Sequence, residues 1–117
     1  MEQGKKLKKN KKIIVRMNST KVYLKIHIRG EIEIIACCDE ELLNQVYKDG
    51  NLRIEISNQF FGGKLIHLED AISVLKQAAN FNIVGENIIN KAIDCKLISL
   101  EGVRSINGVP MALKMMF

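Results

Sequence analysis

One proline, two histidines and three cysteines in 117 residues close off several classes of protein. With 47% hydrophobic residues beside that single proline, the chain is neither collagen-like, proline-rich nor wholly disordered, and a packed core is expected. No apolar run approaches the roughly 18 residues needed to cross a bilayer. Ile13-Ile14-Val15 is too short for the apolar region of a signal peptide, so a soluble, cytoplasmic protein without a membrane partner is expected. Cys37 and Cys38 are adjacent, Cys95 is remote, and His27 and His67 lie on separate segments, which is not the paired spacing of a zinc site. No metal is expected, and the thiols read as small buried groups, reduced in a cytosol. Gly62-Gly63-Lys64 lacks the rest of any phosphate-loop pattern and reads as a tight turn whose glycines need positive φ, so no cofactor is expected either. At 13.2 kDa the chain has room for one domain and a tail.

What is present is an uneven charge. The net +5 divides into +6 over residues 1–16, where Lys5, Lys6, Lys8, Lys9, Lys11, Lys12 and Arg16 face Glu2 alone, and −1 over the rest. A cationic arm on a nearly neutral body points to an anionic partner for the arm, with the domain, residues 17–117, doing something else. Fourteen Lys against four Arg favour phosphates met as point charges over bidentate reading of bases, so nucleic-acid binding by the arm is expected to be largely blind to sequence.

Past the arm, Val22, Leu24, Ile26 and Ile28 alternate with Lys21, Tyr23, Lys25, His27 and Arg29, which predicts a half-buried strand. A second strand is expected over residues 32–38. Matching apolar sides selects a three-residue loop of Arg29, Gly30 and Glu31, with Ile28 opposite Ile32, His27 opposite Glu33, Cys38 inward and Cys37 outward. Asp39, Glu40 and Glu41 before Leu42, Leu43, Val46 and Tyr47 predict a short helix over about 40–48. Further strands are expected at 52–56 and 64–67. Helices follow around Ile72, Leu75, Ala78 and Ala79 and around Ile88, Ile89, Ala92 and Ile93, with residues 80–85 as a hinge. Asn107-Gly108 marks a closing hairpin, with Pro110 at an edge or a strand start. Together these give an α+β two-layer sandwich: a mainly antiparallel sheet with helices on one face.

Several segments in this order resemble an archaeal family catalogued as domain of unknown function 424. They are Val22-Tyr23-Leu24-Lys25-Ile26-His27, Cys38-Asp39-Glu40-Glu41-Leu42-Leu43, Phe60-Phe61-Gly62-Gly63, Ile83-Val84-Gly85-Glu86 and Gly108-Val109-Pro110. The resemblance spans residues 21–116 and implies a compact α/β domain. It supplies no activity, cofactor or catalytic residue, and neither the lysine arm nor Met111 after the Gly-Val-Pro turn follows the family pattern.

Lys21, Tyr23, Lys25, His27 and Arg29 interleave charge with an aromatic ring on the outer side of the first strand, the mixture by which sheet-type binders meet RNA. Solvation of that side accounts for the same residues, and Glu31 and Glu33 would dilute its potential. With the arm just upstream, a non-enzymatic protein binding structured RNA, ribosomal RNA in particular, is expected. Ribosomal or translation proteins are then expected company, with Lys5 to Arg16 on phosphates and Lys21, Lys25 and Arg29 extending the contact. Two alternatives stand beside it. One is a small enzyme or metabolite-binding domain around Cys37, His27 and residues 60–64. The other is a protein adaptor using Met111, Met115, Met116 and Phe117.

Overall fold

A computed structural model describes residues 20–116. The arm residues Lys5 to Arg16 lie outside the described residues, as does Phe117. Strand β1 (Lys21–Arg29) and strand β2 (Ile32–Asp39) pair antiparallel with Arg29 opposite Ile32. The loop is therefore Gly30 and Glu31 alone, and the expected three-residue loop is corrected. Ile28 stands opposite Glu33, His27 opposite Ile34 and Leu24 opposite Cys37. Apolar sidedness selects the wrong register because the apolar side of β1 is not buried along its whole length. Ile26 is 48% and Ile28 69% exposed, so the tip has no need of an apolar partner. Cys37 faces the same side as Leu24, and Cys38 that of Tyr23. Both are buried, so Cys37 does not face solvent.

The helix expected over 40–48 does not form. A single 3₁₀ turn, Glu40–Leu42, gives way to extended Leu43, and Asn44 sits at φ 73°. The Asn44 N–H then donates to the Ile56 carbonyl at 2.6 Å, which ties this stretch to a later segment. Strands β3 (Val46–Asp49) and β4 (Leu52–Glu55) make a separate hairpin. Helix α1 (Asn58–Phe61), strand β5 (Lys64–His67), helix α2 (Leu68–Lys76), strand β6 (Phe81–Val84), helix α3 (Glu86–Asp94), strand β7 (Arg104–Ile106) and strand β8 (Val109–Lys114) follow. The expected hinge at 80–85 is thus mostly β6. Its Phe81, Ile83 and Val84 are fully buried, an apolar run too short to show a period.

The six-stranded sheet runs β5-β1-β2-β6-β8-β7, antiparallel at each neighbour except the parallel β2–β6 pair. The molecule is α+β as expected, with a mixed sheet. Pro110 lies second in β8, next to the Asn107-Gly108 turn, where its missing N–H is tolerated. Helices α2 and α3 cover one face, packing Ala71, Ile72, Leu75, Ile88, Ile89 and Ala92 on Val22, Leu24, Ile35, Cys37, Phe81 and Ile83. The opposite face is partly covered as well. There Ile56 and Phe61, supported by Leu42 and Ile54, close over Ala36, Cys38 and Val84. Burying Phe61 contributes roughly 1.5–3 kcal/mol, enough to hold the short α1 against the sheet. β2 therefore touches both layers, which is why its residues from Ile35 to Asp39 are all buried.

Candidate nucleic-acid interface

The polar side of β1 beyond Tyr23 is a part of the sheet that the second layer leaves open. Lys25, His27 and Arg29 share this side with Ala36, Ile34 and Ile32 of β2, because directly opposed residues in an antiparallel pair project to one face. Helix α1 rises beside them. Its start is set by Ser57, whose Oγ accepts the Phe60 N–H at 3.1 Å. Between floor and wall lies an open groove of ≈ 570 Å³, with Lys25, His27, Arg29, Ile32 and Ile34 below and Ser57, Gln59 and Phe60 at the side.

Two contacts fix the wall to the floor. The Lys25 ammonium donates to the Gln59 carbonyl at 2.6 Å, and His27 Nε2 lies 2.8 Å from the Phe60 carbonyl. A carbonyl can only accept, so Nε2 carries the hydrogen. These carbonyls belong to the last turn of α1, where backbone acceptors lack helical partners and cationic groups are favoured. The His27 ring also stacks on Phe60, centroids 4.5 Å apart and planes 16° from parallel, and Phe60 meets Phe61 edge-on at 5.0 Å. The expected glutamate partner of His27 is replaced by this carbonyl and ring. The double glycine also proves different from expectation. Neither Gly62 nor Gly63 has positive φ. Instead, a Cβ on Gly63 would overlap the Leu24 carbonyl of β1, and one on Gly62 would overlap Asn58, so glycine is required by close approach.

The groove's electrostatics follow from the register. Glu33 pairs with Ile28 and so belongs to the other face, and among the described residues the groove lining contains no carboxylate. Among the described residues neither Lys25 nor Arg29 is paired with a carboxylate. An ammonium has three donors, so Lys25 keeps two beyond its bond to Gln59. Lys21 does not line this groove and stands opposite His67 of β5. The structure thus brings Lys25 and Arg29 together with His27 and separates Lys21 from them. Ser57, Gln59, Ile32 and Ile34 were missed as site residues, and Phe60 was named only for the alternative enzyme or metabolite site around Cys37, His27 and residues 60–64. The serine three positions before Phe60 was the available signal for a helix start beside the glycines.

Cys37 and His27 are on opposite sides of the sheet, so no nucleophile pair is assembled. Burial, followed by the neighbouring Cys38 and Asp39, pushes the Cys37 thiol up; burial with Asp39 and Glu41 takes Cys38 to about 12. Neither supplies thiolate at neutral pH. No group of three or more His, Cys, Asp and Glu among the described residues is placed to hold a metal ion. No described helix is long and apolar enough to cross a membrane.

The model of the family described as protein of unknown function, DUF424, matches residues 26–116, more than three quarters of the chain. The chain belongs to this family. The match takes in the end of β1, β2 to β8, the groove wall and the Gly62-Gly63 approach, and begins after Lys25 of the groove floor. The crystal structure of an uncharacterized conserved protein from Methanopyrus kandleri is similar, with a TM-score of 0.70 and 26% identity over 80% of this chain and 89% of that one. No curated protein matches.

Proposed function

We propose that this is a non-enzymatic RNA-binding protein, linked to translation in an archaeal cytoplasm, in which the lysine arm and the groove side of β1 meet one structured RNA. The observation that carries the reading is a groove without a carboxylate among the described residues: Lys25, His27 and Arg29 side by side, with Glu33 turned to the opposite face. The arm's +6 ends five residues before β1 in the sequence, close enough for both cationic segments to reach a single polyanion. Four to six lysine contacts to phosphates give a log–log salt slope of roughly −3 to −5. The test is a titration of the full chain with a folded RNA at several salt concentrations, repeated with Lys5, Lys6, Lys8, Lys9, Lys11 and Lys12 changed to Ala. Loss of most of the slope supports the mechanism. No affinity at low salt, or a slope that survives the substitutions, sinks it. Sedimentation of the native protein with ribosomal particles, lost after nuclease, tests the link to translation.

A further inference from the structure

Resting on that reading, we propose that the groove receives one unstacked nucleotide unit of the RNA, its planar base against the His27–Phe60 pair and its flanking phosphates on Lys25 and Arg29. The groove holds more than an anion site needs. At ≈ 570 Å³ it falls within the range of small-molecule sites, and its floor carries two isoleucines that a phosphate alone would leave in water. His27 and Phe60 already form a parallel stack at 4.5 Å, a rigid aromatic surface of the kind on which single-stranded bases are held. Ser57 and Gln59 add hydroxyl and amide groups at the wall, which can bond a base edge or a ribose without selecting strongly by charge. The cations are arranged along the strand in a matching order. The Cα positions of Lys25 and Arg29 lie two same-side positions apart with His27 between them, about 13 Å at the ordinary strand rise, a span that their long side chains can narrow. A cation therefore stands on each side of the stacking surface, as a base with a phosphate on either side requires.

This order predicts a ranking among simple probes. Adenosine 3′,5′-bisphosphate, carrying phosphates on both sides, binds the full chain several-fold more tightly than adenosine 5′-monophosphate. Inorganic phosphate leaves the Phe60 ring unmoved. Side-chain NMR signals of His27 and Phe60 report occupancy directly, and a folded RNA displaces the bisphosphate. Arg29 is exposed, so Arg29→Ala folds normally and weakens the bisphosphate several-fold; Phe60→Leu keeps an apolar wall and removes the stack, with a similar loss. The six arm substitutions weaken RNA binding but leave the bisphosphate-induced shifts of His27 and Phe60 in place, which separates failure of the arm from failure of the groove. The proposal is overturned if His27 and Phe60 stay unmoved while RNA still binds, or if inorganic phosphate reproduces the shifts. It is equally overturned if RNA fails to displace the bisphosphate, because the groove would then serve a free nucleotide.

Discussion

The Asp39 carboxylate occupies the space that a side chain on Gly85 would need. Asp39 ends β2 and Gly85 follows β6, its parallel neighbour, and a Cβ built on Gly85 would overlap the carboxyl group itself. Gly85 lies at φ 125°, a region that only glycine occupies easily. Its absence of side chain lets Asp39 reach the first turn of α3, where Oδ2 accepts the Asn87 N–H at 2.8 Å and Oδ1 the Ile88 N–H at 3.0 Å. Asp39 thus caps a helix 48 residues downstream, in place of the one expected to follow it.

Gly85→Ala should cost about 3 kcal/mol or more, from the strained φ and the collision together. Asp39→Ala should cost about 2–4 kcal/mol by leaving two helix N–H groups without their acceptor. Because the collision needs both residues, the double variant should be less damaged than the sum of the two. Urea unfolding of the three variants measures that coupling, and strict additivity would show that the two sites are independent.

Asp39 also gives the fold a pH dependence. Burial raises its carboxyl from the ordinary 3.8 to about 6, the two helix N–H bonds opposing and Glu41 and Glu86 reinforcing the rise. Between those values the folded chain holds a proton that the unfolded chain has released, so the contribution is present below about pH 4 and is lost as pH rises through 6. Subtracting the profile of Asp39→Asn isolates it. The difference in urea midpoint between wild type and Asp39→Asn should change across pH 4–6 and be flat above about 7.

Lys25→Ala should loosen the groove wall more than the domain. The lost bond to the Gln59 carbonyl is charge-assisted but half exposed, so about 1 kcal/mol is expected. Hydrogen exchange at the amides of Phe60 to Gly63 should accelerate, with a fall of only a few °C in global Tm. Unchanged exchange there would show that the stack on His27 suffices to hold α1.

Thiol labelling of the native protein should reach Cys95 first. Cys37 and Cys38 are buried with raised pKa values and should react only as the fold opens, at a rate that follows denaturant. Rapid labelling of all three would contradict the burial.

Removing residues 1–12 should lower Tm by no more than a few °C, since Leu7 is the one apolar side chain there besides Met1. A larger fall would make the arm part of the folded structure.

The legible parts of this fold were those with one buried side. β1 alternates cleanly, and the faces of α2 and α3 follow a helical period, so all three stand close to where the sequence places them. β2 from Ile35 onward and β6 are buried on both sides and carry no alternation, which concealed the β1–β2 register and turned β6 into a supposed hinge. Asp39 misled for a different reason: a capping residue announces a helix but not which one. The groove inherited these errors, because its carboxylate-free lining depends on a register that sidedness could not supply. Lys25, His27 and Arg29 were nevertheless visible from alternation alone, whereas Phe60 and Gln59 meet them only through a contact 33 or 34 residues away in sequence.

Ala36 and Cys37 are consecutive in β2, yet Ala36 packs under Ile56 and Phe61 while Cys37 packs under the helices. A strand shared in this way acts as a common spine, so the hairpin layer cannot melt without stripping one side of the strand that the helices rest on. The short β3–β4 hairpin and the four residues of α1 would be marginal if they stood alone. Attached to that spine they unfold fully only with the rest, while α1 at the groove wall still opens locally at a lower cost.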